Sequence, residues 1–141
     1  MSRVTTISIC CAFAGLITVG TSLALARVQA AGDAGLSPGV VGDPARGEAL
    51  FNKRCTGCHS LTQNHQGPRL QGVYGRTSGS VSDYAYSPAL KKSNVVWDQT
   101  TLDKWLSDPD AFIPGNEMDF LVSKPQERLD LIAFLKQASG K

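Results

Sequence analysis

The chain has 141 residues, 42% of them apolar and 18% charged, which fits one globular domain and excludes a large multidomain enzyme. Its 14 Lys and Arg against 12 Asp and Glu give a formal net charge of +2, but Arg3 and Arg27 flank an apolar N-terminal stretch, and residues 31–141 carry 12 charges of each sign. No basic excess is left there to bind nucleic acid by counterion release.

Arg3, the apolar run from Ile7 to Ala26, and the small-residue exits Ala24-Leu25-Ala26 and Val28-Gln29-Ala30 follow the pattern of a secretory signal. Residues 1–30 are therefore expected to be cleaved on export to the periplasm. A retained anchor competes, because roughly 20 mostly apolar residues can just cross a bilayer, but Gly15, Thr18, Gly20, Thr21 and Ser22 dilute this run. A mitochondrial transit peptide would carry more Arg. Residues 31–42, AGDAGLSPGVVG, have no hydrophobic period and read as a flexible lead-in to a domain spanning residues 43–141.

Asp43 is a good N-cap and Pro44 is tolerated at the first helical position, so a helix is expected from Pro44 to about Arg54. Gly47 and Phe51 share one of its faces. A mid-helix glycine costs about 1 kcal/mol relative to Ala, so Gly47 marks either a close helix crossing or a tolerated weakness. From Ser60 to about Ser82 the chain is polar and glycine-rich, with turn signals at Gly67-Pro68, Gly72, Gly75 and Gly79 and no strand period. A second helix is expected from Pro88 to Lys92 and a third from Thr101 to Ser107. For the third, Thr100 and Asp103 have capping-box spacing, Leu102, Trp105 and Leu106 form the buried side, and Pro109 follows the end. In the last helix, Ser123 and Gln126 have capping-box spacing, Pro125 sits in the first turn, and Leu131, Phe134, Leu135 and Ala138 form the apolar stripe. The result is an all-α domain whose few helices and long connections bury only a modest core. A large cofactor filling the middle would resolve that conflict.

Cys10 and Cys11 belong to the leader, which leaves Cys55 and Cys58 in the domain. With His59 they form Cys55-Thr56-Gly57-Cys58-His59, the C-x-x-C-H signature of covalent c-type haem attachment. On one helical turn, residues i, i+3 and i+4 project from the same side. Two thiols can then form thioethers to the haem vinyls while the imidazole reaches the iron. A zinc site would need four ligands and finds only His65 as a further donor of that type; a redox dithiol would need an alternating strand and helix pattern that is absent. For the second axial ligand, Met118 is the one methionine besides Met1. Ile113-Pro114-Gly115 breaks the chain before it, and its neighbours Glu117 and Asp119 are poor company for a core gap-filler. His65 lies only six residues from His59 and reads as a solvated loop residue.

The segments CTGCH, GPRLQGVYGR, YAYSPA, Trp97, IPGNEMDF and LIAFLK occur in an order and spacing that resemble the class I cytochromes c, over roughly residues 43–138. The resemblance implies a fold of a few helices and long loops wrapped around one haem. It implies that the Pro68 carbonyl orients the proximal imidazole, that Arg76, Tyr86 and Trp97 bind the haem propionates, and that Trp105 walls the haem on the methionine side. It also implies that Gly47 and Phe51 cross the last helix at Leu131 and Phe134. Leu90 stands where an asparagine is common and Asn116 where a threonine is common, so the internal hydrogen bonds near the inner propionate are expected to be rearranged.

These features together point to a soluble, monomeric periplasmic electron carrier, not an enzyme, without a small-molecule substrate. Its partners would be a membrane oxidase, a bc-type complex or a periplasmic dehydrogenase. The competing readings are a haem-bearing subunit of an oxidoreductase complex and, with the sixth position open, a haem peroxidase or gas sensor. Arg54 and Lys124 keep basic positions matching those relatives, whereas Asp110, Glu117 and Asp119 lie near Met118, so a mixed-charge docking face with a weak salt dependence is expected.

Overall fold

The structure is a computed structural model and describes residues 41–141, so the expected leader and most of the lead-in lie outside the described residues. Five helices follow in order: α1 (Pro44–Arg54), α2 (Pro88–Lys92), α3 (Gln99–Ser107), α4 (Pro109–Phe112) and α5 (Pro125–Gln137). Among the described residues, extended pairing is limited to one antiparallel bridge between Thr77 and Val96. No described helix is long and apolar enough to cross a membrane.

The helix starts follow local hydrogen-bond chemistry. Asp43 caps α1 by accepting from the Ala45 and Arg46 N–H groups at 2.8 and 3.4 Å, with Pro44 at the first position. Helix α3 begins at Gln99, earlier than its expected start at Thr101, because Asp98 is the cap in place of Thr100. The Asp98 carboxylate accepts from the Thr101 N–H at 2.8 Å while the Thr101 hydroxyl accepts from the Asp98 N–H at 2.8 Å. Pro109 does more than end α3. Asp108 caps a further short turn by accepting from the Ala111 N–H at 3.0 Å, and Pro109 opens that turn as α4. The capping box expected at Ser123 and Gln126 does not form. Lys124 occupies the cap without a side-chain bond, and Gln126 Nε2 instead donates to Asp130 Oδ1 at 2.8 Å.

Helix α1 packs mainly on α5, which also takes α3 along its length. The α1 contact is a backbone approach. A Cβ on Gly47 would fall on the Asp130 carbonyl oxygen, so a side chain there would push the two helices apart. One turn later the Phe51 and Phe134 rings meet at 5.3 Å between centroids. The crossing is fastened at its edge by Asp130, which accepts from Arg46 Nε at 2.9 Å, Arg46 Nη2 at 3.0 Å and the Asp43 N–H at 2.8 Å. A second buried charge, Arg128, ties α5 to α3 through Asp103 at 2.7 Å and donates to the Val122 and Ser123 carbonyls at 3.0 and 3.1 Å. The loops are tied to each other as well: Gly75 N–H donates to the Trp97 carbonyl at 2.6 Å, and Trp97 N–H donates to the Arg76 carbonyl at 2.9 Å.

The hydrogen bonds from Arg46, assisted by the Asp43 and Gln126 donors, hold the Asp130 carboxyl down from its ordinary 3.8 to about 2. Its folded pKa lies below its unfolded one, so its contribution is complete above about pH 4 and is lost as pH falls toward 2. Asp130→Asn is expected to destabilise the holoprotein by about 2 kcal/mol at pH 7. In denaturant titrations at successive pH values, the gap between wild type and variant should close over that acid window and nowhere above it.

Candidate functional site

The Cys-x-x-Cys-His segment grows directly out of α1. Cys55 is the C-cap, and its carbonyl accepts from the Cys58 N–H at 3.1 Å and from the His59 N–H at 2.8 Å. This closes one helical turn, which sets the two thiols and the imidazole at the i, i+3 and i+4 positions. Neither Cys55 nor Cys58 is tied up in a disulfide, and burial pushes the Cys55 thiol up to about 11.

His59 is fixed from two sides. Its Nδ1 lies 2.8 Å from the Pro68 carbonyl oxygen, and because a carbonyl can only accept, Nδ1 carries the proton and Nε2 keeps its lone pair. Burial lowers the imidazole pKa, partly opposed by the Pro68 bond, so the neutral, donor-ready form is favoured. Gly67 packs flat against the ring: a Cβ there would lie 2.5 Å from Nδ1 and 2.7 Å from Nε2. The Gly67 N–H donates to the Cys58 carbonyl at 2.8 Å, locking this backbone to the motif.

These residues open onto a cavity of about 440 Å³, within the range of a cofactor site. Every site residue expected from the sequence lines it: Cys55, Cys58, His59, Pro68, Arg76, Tyr86, Trp97, Trp105 and Met118. His65 is exposed and lies off the cavity wall. Among the described residues no group of three or more His, Cys, Asp and Glu is placed to hold a metal ion. The wall also contains residues that motif reading did not assign to the site. Leu131 and Leu135 were expected only as the apolar stripe of the last helix, and Phe51 and Leu102 only as helix packing residues, yet all four line the cavity.

The polar wall has its own order. Arg76 donates to the Arg69 and Gln71 carbonyls at 2.9 and 3.2 Å and has no carboxylate partner among the described residues. Burial lowers its pKa, against the favourable field of the nearby Tyr86. Tyr86 in turn is raised by burial and pulled back by Arg76. A half-buried cation held in place without an anion is suited to receive a carboxylate from a bound group. Leu90, at the position where the family commonly has an asparagine, also lines this wall, and its side chain has no hydrogen-bonding group to offer there.

Met118 sits on the loop between α4 and α5, and Asn116 organises that loop. The Asn116 side chain accepts from the Met118 N–H at 2.7 Å and donates to Asp110 Oδ1 at 2.9 Å and to the Ile113 carbonyl at 3.1 Å. The residue that departs from the family's threonine thus serves as a loop clamp.

The cytochrome c family model matches residues 44–139, more than half of the chain. The chain belongs to the cytochrome c family. A cytochrome c from Chlamydomonas reinhardtii is 46% identical over 103 residues, covering 70% of this chain and 92% of its own length. Another, from Theileria annulata, is 49% identical over 104 residues, covering 71% and 90% respectively. Cytochrome cH from Methylobacterium extorquens matches the structure with a TM-score of 0.65 at 45% identity, over 68% of this chain and 99% of that one. The protein is therefore a class I c-type cytochrome, an electron carrier and not an enzyme, whose family binds haem c covalently. The paired thiols, the oriented imidazole, the apolar cavity and the anion-seeking Arg76 fit that group.

Gly67→Ala puts a methyl group into the space of the His59 ring. The expected outcome is a large loss of correctly assembled holoprotein, read as a lower ratio of haem-loaded to haem-free chain by intact mass. Gly57→Ala, where a Cβ meets nothing within 4 Å, should leave that ratio unchanged.

Proposed function

We propose that this cytochrome is a soluble, monomeric one-electron carrier of the periplasm. Its single haem c would be joined to Cys55 and Cys58, with His59 and Met118 as the axial ligands. The observation that carries this reading is the convergence of both thiols, the His59 ring and the Met118 side chain on one apolar cavity. Iron held by an imidazole and a thioether changes oxidation state by one electron, and the thioether favours Fe(II) relative to a second imidazole.

The protein's part is to hold these groups still. Pro68 fixes the His59 tautomer, Asn116 fixes the Met118 backbone, and the Trp97 and Trp105 rings, 5.4 Å apart, wall the cavity against water. Arg76, Tyr86 and Trp97 would take the propionate carboxylates, which are costly to bury without partners. If His59 and Met118 both hold the iron, no position would be left for peroxide or a gas to bind, which favours the carrier over a peroxidase or sensor. Residues 1–30 would be the cleaved export signal and residues 31–42 a tether. The carrier would move between a membrane oxidase or bc-type complex and a periplasmic dehydrogenase. Among the described residues four large apolar side chains are exposed and only Phe120 and Leu121 are sequence neighbours, which favours transient contacts over permanent membership of a complex.

An absorption spectrum with intact mass tests haem content, ligation and leader removal together: one haem, a six-coordinate spectrum and loss of residues 1–30 are expected. Met118→Ala should lower the reduction potential and allow carbon monoxide to bind, whereas Met118→His should lower the potential and still exclude it. A Met118→Ala protein with unchanged potential and no carbon monoxide binding would overturn the ligand assignment.

The cavity walls also make a stability statement. Replacing either Cys55 or Cys58 by Ala should leave haem on one thioether, and replacing both should give mostly unfolded apoprotein by circular dichroism. A folded, helical double variant without haem would show that the protein core suffices alone.

A further inference from the structure

Four large apolar side chains are exposed among the described residues, and two of them are adjacent: Phe120, 38% exposed, and Leu121, 52% exposed. They continue the loop that bears Met118. Phe120 lines the cavity together with Glu117 and Asp119, all three exposed, so this strip marks the cavity mouth. Neither Glu117 nor Asp119 forms an ion pair among the described residues.

The basic residues nearby are engaged. Arg54, which also lines the cavity, donates to Glu127 Oε2 at 2.7 Å, and Lys124 lies 3.2 Å from Oε1 of the same carboxylate. Glu127 therefore offsets one of the two positive charges, and Glu117 and Asp119 outweigh the other. The mixed-charge face expected from Arg54, Lys124, Asp110, Glu117 and Asp119 leaves out Glu127, whose pairing with both cations tips the balance to the acidic side and replaces the weak salt dependence expected of that face with a marked one. An apolar contact edged by unpaired carboxylates is complementary to a surface with an apolar centre and a cationic rim.

We propose that the strip Glu117–Leu121 is the docking surface for a redox protein that presents lysine or arginine side chains around an apolar contact. This rests on the electron-carrier reading. The carboxylates raise the encounter rate with a basic partner and disfavour an acidic one. Phe120 and Leu121 supply the water-free contact beside the cavity through which the electron leaves.

The test uses the holoprotein with two redox probes: a reduced, lysine-rich cytochrome and the same cytochrome with its lysines acetylated. Second-order electron-transfer rates are measured across a salt series. The lysine-rich probe should react at least about tenfold faster at low ionic strength, and the advantage should fade as the Debye length shrinks to roughly 3 Å near 1 M salt. Glu117→Lys should remove most of the advantage, while Glu48→Lys, an equal change in net charge away from the cavity wall, should retain it. Equal loss in both variants would make the effect one of net charge and overturn the docking surface, as would a faster reaction with the acetylated probe. Leu121→Ser should slow the lysine-rich probe several-fold even in high salt, and an unchanged rate would overturn the apolar contact. A protein lacking an ascorbate-reducible haem spectrum would fail the carrier reading itself. A reducible protein with the opposite charge preference would overturn only the docking surface.

Discussion

The backbone crossing of α1 and α5 is the contact on which the cavity depends. Gly47 has no side chain to hold the helices apart, so its Cα comes up against the Asp130 carbonyl, and Phe51 then reaches Phe134 one turn on. Because α1 ends at Arg54 and Cys55 is its cap, the direction of α1 sets the direction of the following turn that carries Cys58 and His59. Moving α1 outward by the width of one methyl group would displace the thiols and the imidazole together. The glycine's helix-propensity cost of about 1 kcal/mol is offset by this packing and by the Arg46–Asp130 pair at the rim of the crossing.

The core and the functional site are one surface. Phe51, Leu102, Leu131 and Leu135 are counted among the buried apolar residues, and each also faces the cavity. An apolar wall around a space of about 440 Å³ gains dispersion contacts and water exclusion from a group that fills it. A bound group that fills the space contributes to folding as well as to function. Covalent attachment makes that contribution independent of free-ligand concentration. This explains why a domain with only five short helices and long loops suffices as an electron-transfer scaffold.

How much of this was legible in the sequence varied with the range of the interactions involved. Helix α1 could be bounded residue by residue because Asp43, Pro44 and the basic last turn act locally. Cys55, Cys58, His59 and Met118 reach the cavity because a C-x-x-C-H turn and a single loop methionine leave few arrangements, whereas Pro68, Arg76, Tyr86, Trp97 and Trp105, which also line it, could be named only from the family resemblance. The start of α3 was displaced because Asp98 and Thr101 cap reciprocally and thereby outcompete Thr100. At α5 the glutamine that would have completed a capping box is drawn to Asp130 by a network that includes Asp43, 87 residues away along the chain from Asp130. Arg128 and Asp130 are buried on a helix read by its apolar stripe, since α1 and α3 cover α5 on more than one side. Such partners are set by tertiary packing, and spacing alone carries no signal for them.

Asn116 shows how a loop outside any helix can still be precise. A methionine on a regular helix would be positioned by the helix ladder, whereas the Met118 segment must find its order elsewhere. One amide side chain supplies it: its oxygen takes the Met118 N–H while its nitrogen reaches Asp110 and the Ile113 carbonyl. Three hydrogen bonds from one residue, beside a glycine at φ +81° that turns the chain, hold the backbone without a repeating structure. The same few residues then pass from Met118 into Asp119, Phe120 and Leu121 at the surface. In the proposed carrier the ligand-bearing loop is therefore also the contact loop. A partner pressing on that surface meets a segment pinned at Asn116, so docking can proceed without displacing the methionine from the site it serves.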